Sequence, residues 1–456
     1  MAEGPTFQRG MKRHLKRVLG VDRYRLLEHG LTAFERILPH ADVGTWESGA
    51  ASTRKVVWQD QHRRALVLRV AVPGLGSGIE ATLVRRPAPA GVGRVARTID
   101  LGERNMAERI VEALAADLTV TDDGVSSELR RSFDERVVAR YIQRRFDLQL
   151  DPRPLFDALH SLAEQTYETR SLTFGVVVDM SGPTRSQAVP AFAFPEDYLG
   201  GKKYRVLSDG YRVAYRLSRA GAVIGLADLT AEAGSPGGKL YFPEWARQLA
   251  MTSHRKALGV SLTRHGDIVV FANGNLHLSY RAGQWCYWNH GHVVDLVRNT
   301  ARVQRVPPKA LGRLVSRLYR LALDISFRHT GGLILILRSR RNVSQVVRAG
   351  DAMGDDRRPG VDNAFDQALL SRDVTALPLS VLSELTSLDG AIVVANNGQL
   401  LAYGAVLQPK RTTGTSKAEG ARTKAAIGAS HYGISIKVSS DGDITFYKGG
   451  EPFLAI

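Results

Sequence analysis

Between Ala310 and Leu337 the chain passes from an amphipathic helix into an all-apolar strand. That succession commits the C-terminal third to an α/β unit. Leu311, Leu314, Val315, Leu318, Ala322 and Ile325 recur at helical spacing, with Arg313, Arg317 and Arg320 on the opposite face. Gly331-Gly332 then opens the strand Leu333–Leu337. After a polar loop containing Gly354–Gly360, the segments Ala391–Val394 and Leu400–Ala405 read as a strand pair. A Lys/Thr/Gly loop leads to a helical start at Arg422–Ser430, and Ile434–Val438 and Ile444–Tyr447 read as strands.

The rest of the chain divides by pattern. Residues 1–165 alternate helix and strand signals: helices over Met11–Leu38, Glu103–Leu118 and Ser127–Phe146, strands within Lys55–Val72, and a turn-rich break at Pro73–Gly78. Residues 166–300 read mostly as β. Leu172–Val178 is a buried-type run, Tyr204–Leu207, Val213–Leu217 and Ala222–Leu226 are short strands, and Asn273-Gly274-Asn275 is a hairpin signal. The expected fold is therefore α/β: a C-terminal mixed sheet with helices at 301–456, a β-rich middle region at 166–300 and a mixed α/β N-terminal region at 1–165. The middle region reads as an accessory part or a degenerate repeat, with chance similarity between short β segments as the favoured alternative.

Composition narrows the function classes. With 44% apolar and 23% charged residues, 456 residues can build packed cores. A formal charge of +17 favours anionic partners: nucleotides, nucleic acid or an anionic surface. The lone cysteine, Cys286, excludes a disulfide framework and a multi-cysteine metal site. No signal peptide and no run of 18 apolar residues is visible, which leads to the expectation of a cytoplasmic chain without a membrane span.

Two motifs carry chemistry. Leu388-Asp389-Gly390-Ala391 puts a carboxylate at a strand mouth, where Gly and Ala allow a ligand near the backbone. Gly420-Ala421-Arg422-Thr423-Lys424-Ala425-Ala426 puts small residues and two cations in the first turn of a helix, where free N–H groups also favour phosphate. Each alone reads first as a turn or a solvated charge run. Their order is informative: helix, Thr330-Gly331-Gly332-Leu333-Ile334, Asp389-Gly390-Ala391, Gly420–Ala426, then Lys437-Val438-Ser439-Ser440-Asp441-Gly442. This arrangement resembles the diadenylate cyclase (DAC) domain of bacteria over about a third of the chain.

The resemblance implies a set of roles. Asp389 would be the catalytic carboxylate and, with Asp441, a ligand of Mg2+ or Mn2+. Gly390 and Ala391 would line an adenosine pocket. Gly420, Arg422, Thr423, Lys424 and Ser439 would contact the nucleotide. The family joins two ATP molecules into cyclic di-AMP with the domains face to face, which implies a homodimer or higher oligomer. Departures weigh against turnover. The motif's His falls on Thr423 and its second Arg on Lys424, which keeps charge but loses the bidentate fork. The final turn's two Glu positions fall on Ser440 and Asp441. The pattern is similar to the divergent, sensor-type relatives called DACNV. The expectation is a sensor that binds ATP or a cyclic dinucleotide. The alternatives are an active cyclase and a nucleic-acid-binding protein.

Lesser signals complete the reading. Ser208-Asp209-Gly210, His254–Gly259 and Gly266-Asp267-Ile268 echo the Asp389, Arg422 and Gly442-Asp443-Ile444 elements. Gly234–Lys239 lacks the spacing and hydroxyl of a phosphate loop. His290-Gly291-His292 has no acidic or cysteine companions for a metal, and Trp285 and Trp288 read as core or interface aromatics. The Arg-rich helix Ser127–Phe146 reads as a solvated face, with nucleic acid as the functional alternative.

Overall fold

The computed structural model describes residues 4–49, 55–85, 98–180, 202–232, 239–254, 256–302, 306–353, 366, 369, 373–408 and 420–456. The loops expected around Gly354–Gly360, at Gly234–Gly238 and before Gly420 lie outside the described residues. The chain forms two compact units. One comprises Met1–Pro87, Arg97–Pro236 and Gln248–Trp288, and the other Ala88–Ala96, Gly237–Arg247 and Asn289–Ile456. The fold class is α/β.

In the first unit, helices α1 (Met11–Leu19) and α2 (Val21–Ile37) replace the single helix expected over Met11–Leu38. Gly20, at φ 76° and ψ 179°, breaks the run in a conformation that favours glycine. Strands β1 (Ala41–Val43), β2 (Glu47–Gly49), β3 (Val56–Trp58), β4 (Ala65–Ala71) and β5 (Gly78–Arg85) form an antiparallel sheet ordered β1-β5-β4-β3, with β2 also on β5. Helix α3 (Leu101–Asp117) starts at a capping box in which Asp100 and Glu103 satisfy each other's backbone N–H groups. The Arg-rich segment is also two helices, α4 (Asp123–Arg131) and α5 (Phe133–Arg145). Its Arg136 is buried and paired with Asp117 at 2.6 Å, so this cation is structural.

Helix α6 (Arg153–Ala163) and the hairpin β6 (Thr166–Tyr167) and β7 (Arg170–Ser171) precede a seven-stranded sheet. Its strands are β8 (Phe174–Asp179), β9 (Val213–Leu217), β10 (Val223–Asp228), β11 (Ala257–Leu262), β12 (Ile268–Ala272), β13 (Asn275–Arg281) and β14 (Gln284–Tyr287), ordered β10-β9-β8-β11-β12-β13-β14. The expected strand Tyr204–Leu207 is instead part of a short helix, α7 (Lys202–Val206). Four residues of mixed polarity fit either period. The start of β9 is set by Asp209, whose carboxylate accepts from the N–H groups of Tyr211, Arg212 and Val213 at 2.8, 2.7 and 3.1 Å. Helix α8 (Arg247–Thr252) precedes β11.

The second unit holds helices α9 (His290–Thr300), α10 (Pro308–Arg328), α11 (Leu379–Ser387) and α12 (Ala421–Ala429). Its sheet contains β15 (Gly332–Leu337), β16 (Ala391–Ala395), β17 (Leu400–Ala405), β18 (Gly433–Val438), β19 (Ile444–Lys448) and β20 (Glu451–Ala455), in the order β17-β16-β15-β18-β19-β20. Every residue of β15 is buried, as a central strand covered on both faces requires. Leu333 and Ala391 pack with Ala426 of α12 on one face. On the other, Ile325 of α10 and Thr386 of α11 close on Gly332. His290 and Tyr319 belong to this unit's core: the His290 ring nitrogen Nδ1 lies 2.8 Å from the Tyr319 hydroxyl and the ring stacks on Tyr241.

The two large sheets share one plan. In both, one parallel pair (β8 with β9, β15 with β16) is flanked by antiparallel neighbours in the same succession through β13 and β20, and β14 is an addition. From Ala257 and from Gly433 onward, the residues correspond one to one without insertion. Ser439 N–H donates to Asp443 O (2.9 Å), Gly442 N–H to Ser439 O (3.1 Å) and Asp443 N–H to Ser439 Oγ (3.0 Å). Thr263, Gly266 and Asp267 repeat these bonds at 2.8, 3.2 and 3.1 Å. The bulge between Val270 and Phe271 recurs between Phe446 and Tyr447. The echo of Gly266-Asp267-Ile268 and Gly442-Asp443-Ile444 is thus one turn built twice. The other two echoes are not equivalent. Register places Arg212, not Asp209, opposite Asp389, and Ala257–Gly259 is strand rather than the start of a helix.

A strand mouth lined by cations

The N-terminal ends of β15 and β16 and the C-terminal end of β18 lie together. Ile334 pairs with Ile392 in the parallel register and Gly332 with Val438 in the antiparallel one. Asp389 and Gly390 lead into β16 there, Gly331 leads into β15, and Ser439–Asp441 leave β18. Helix α12 crosses this region through Ala426 on the Leu333–Ala391 face. The sequence motifs, spread from Thr330 to Gly442, are brought to one end of one sheet.

Arg422 is seated by a glycine. Gly331 has φ 67°, and a Cβ placed on it would stand 2.5 Å from Arg422 Nη1 and 3.4 Å from the Ser440 nitrogen. The missing side chain is the room in which the guanidinium lies. Thr423 Oγ1 accepts from Lys437 Nζ at 3.1 Å, drawing a half-buried cation from β18 to the first turn of α12. Gly420, the N-cap residue, offers no side-chain acceptor, so the first N–H groups of α12 have no side-chain cap. Lys424 adds a third ammonium or guanidinium to this turn. Its side chain and those of Arg422, Asp389 and Asp441 make no hydrogen bond or ion pair among the described residues. Asp389, Asp441 and Arg422 are exposed, and Lys424 is half-buried.

Other expected site residues have structural work. A Cβ on Gly390, at φ 136°, would come within 2.3 Å of the Gly404 carbonyl carbon, so this glycine admits the β17 backbone. Ala391 is 1% exposed and packs under α12. The Ser439 hydroxyl is engaged in its own turn, accepting from Asp443 N–H. His329, in the left-handed region at φ 53°, places Nδ1 3.1 Å from the Ser440 carbonyl, and Ser326 Oγ donates to the Gly442 carbonyl. These two bonds fix the final turn to the end of α10.

The sequence reading missed Lys437 as a member of this group. Its signal is the alternation Ile434, Ile436, Val438 on one face of β18 against Ser435 and Lys437 on the other: a charge on a strand face otherwise covered by a helix. Among the described residues, no three His, Cys, Asp or Glu side chains gather as a metal cage. Asp389 and Asp441, both exposed, would be the carboxylates available to a metal ion beside a nucleotide's phosphates. No helix among the described residues is long and apolar enough to cross a membrane.

Comparison with known proteins gives partial likenesses. No family model and no curated protein matches the chain. Among solved structures, the hypothetical membrane spanning protein from Bacillus cereus is 18% identical, with 36% of this chain and 74% of that chain covered and a TM-score of 0.25. DacA from Staphylococcus aureus, solved as a double mutant, is 19% identical, with 32% and 89% covered and a TM-score of 0.21. Likenesses of this extent identify neither a family nor an activity for this chain.

Proposed function

We propose that the C-terminal unit binds an adenine nucleotide, ATP or a cyclic dinucleotide, at the strand mouth, and that the protein acts as a sensor of that nucleotide rather than as a cyclase. The observation that carries this reading is the Arg422 guanidinium lying over Gly331 beside the uncapped start of α12, with Lys424 and Lys437 adjacent. Cations that no carboxylate pairs among the described residues, beside helix N–H groups without a side-chain cap there, together favour a phosphate chain. The order of motifs, which resembles the DAC domain, supplies the adenosine part of the reading. Two features favour binding over turnover. Thr423 spends its hydroxyl on Lys437, and Ser440 stands where the resemblance expects the first carboxylate of the final turn.

Titration of the full chain with ATP and with cyclic di-AMP tests the proposal. Arg422→Ala should weaken triphosphate binding by about 1.5–3 kcal/mol, the usual worth of a charge-assisted hydrogen bond. An unchanged dissociation constant overturns the site. Incubation with ATP and Mg2+ or Mn2+, followed by chromatography, separates sensor from enzyme. Cyclic di-AMP that forms with the natural chain and disappears with Asp389→Asn would make the protein a cyclase. Strong, steeply salt-dependent binding of nucleic acid without nucleotide binding would replace both readings.

A further inference from the structure

The second unit has a cavity of about 140 Å³ at the opposite end of the same sheet, where β15 ends and β18 begins. Its wall includes Arg302, Arg338, Lys448, Asn396 and Thr300, and no carboxylate lines it among the described residues. We infer that this cavity is a binding site for a tetrahedral oxyanion, the phosphoryl group of inorganic phosphate or of a small phosphomonoester, distinct from the strand mouth.

Three observations carry the inference. First, the charges converge without a compensating carboxylate among the described residues. The Arg302 and Arg338 guanidinium groups have no hydrogen-bond or ion-pair partner among the described residues. Lys448 Nζ is held inward by donating to the Thr300 carbonyl, at 3.1 Å, in the last turn of α9. That carbonyl end offers only a fraction of a negative charge against three cations. Second, burial first and the Arg338 charge second push the Lys448 ammonium below its usual range, a penalty that a bound anion would relieve. Third, the topology does not require these cations. In the seven-stranded sheet, Met180 stands where Arg338 does, each donating its N–H to the residue before the adjoining strand, and Ala272 stands in the place of Lys448. The same framework is built there without the charges.

The room and the chemistry agree. The volume is about ten times what a single water needs, enough for an oxyanion and its residual hydration. Asn396 Nδ2 donates to the Arg338 carbonyl at 2.8 Å, which fixes the amide at the rim. The planar guanidinium groups suit the paired oxygens of a phosphoryl group.

The test is calorimetric titration of the full chain with inorganic phosphate and, separately, with glycerol 3-phosphate, at constant ionic strength against chloride. Saturable binding of either is expected, and it should weaken about tenfold or more in Arg338→Gln and in Lys448→Met. Arg338 is exposed, so its variant reports binding rather than folding. Arg422→Ala, at the other end of the sheet, should leave this binding unchanged, which separates the cavity from the strand mouth. Equal affinity for the ester would assign the site to a metabolite's terminal phosphate, and a tenfold preference for free phosphate to the inorganic ion. Absence of saturable binding by both, or binding lost in Arg422→Ala but kept in Arg338→Gln, overturns the inference.

Discussion

Arg422 and Gly331 work as a pair, although 91 positions separate them in the numbering. The guanidinium occupies space that any Cβ at Gly331 would take, 2.5 Å from Nη1, and the backbone there has φ 67°. Gly331→Ala should therefore displace Arg422 and add roughly 1 kcal/mol of backbone strain. Nucleotide affinity should fall about as far as in Arg422→Ala while the melting temperature drops only a few degrees. Titration and a thermal melt of one preparation check both halves; full affinity in Gly331→Ala would show that the guanidinium needs no such seat. Thr423 makes a second point at this scale. It stands where the DAC motif has His, and it supports a cation by holding Lys437 at 3.1 Å.

Among the elements, the central pair β15 and β18 sets the tolerance of the second unit. A Cβ on Gly433 would meet the Ile336 carbonyl oxygen at 1.9 Å, in a fully buried strand of the sheet. Gly433→Ala should cost about 3 kcal/mol, the upper part of the usual range for overpacking, measured as a lower denaturant midpoint with an unchanged slope. A loss below about 1 kcal/mol would mean that the strand pair shifts freely. The restriction does not come from the topology, because Ala257 occupies the same register position of the seven-stranded sheet. It comes from the backbone of Gly433 itself, at ψ −136° after the turn Ser430–Tyr432. The helices make a related point. Gly20 and Ser132 each divide what the apolar period presents as one helix, since periodicity carries across a single broken residue.

For the whole molecule, the charge of +17 is partly internal architecture. Arg36, Arg85, Arg136 and Arg281 are each committed to a carboxylate in the first unit. Acidic groups set part of the pH response. Glu135 is pushed up to about 7 by burial first, and then by the charge and hydrogen bond of Asp157. Its folded value lies above the unfolded one, so the native state binds the extra proton between about pH 4.5 and 7. This contribution is present at low pH and is lost as pH rises through about 7. Glu135→Gln removes the group, so the difference between urea midpoints at pH 5 and pH 8 should shrink in the variant. An identical difference in both proteins would show that Glu135 titrates normally.

Several parts of this protein were legible in the residue order alone. The apolar run Leu333–Leu337 and the amphipathic helix before it announce a central strand and its cover, because burial on two faces demands continuous apolarity. Asn273-Gly274 announces its hairpin, with both residues at positive φ. Asp389 and Arg422 were legible as chemistry, and as companions only through the resemblance to the DAC domain. Their placement at one end of one sheet depends on the parallel register of β15 with β16 and the antiparallel register with β18, which long-range pairing alone decides. The plan shared by the two sheets had only short echoes in sequence. A strand pair needs only apolar residues of suitable size on its buried faces, so two sheets of one plan can differ in sequence while hydrogen bonds such as those of Thr263 and Ser439 keep the turn between strands. The convergence of Arg302, Arg338 and Lys448 had no sequence signature at all, since one leaves a helix and the other two end separate strands, and only folding closes the distance.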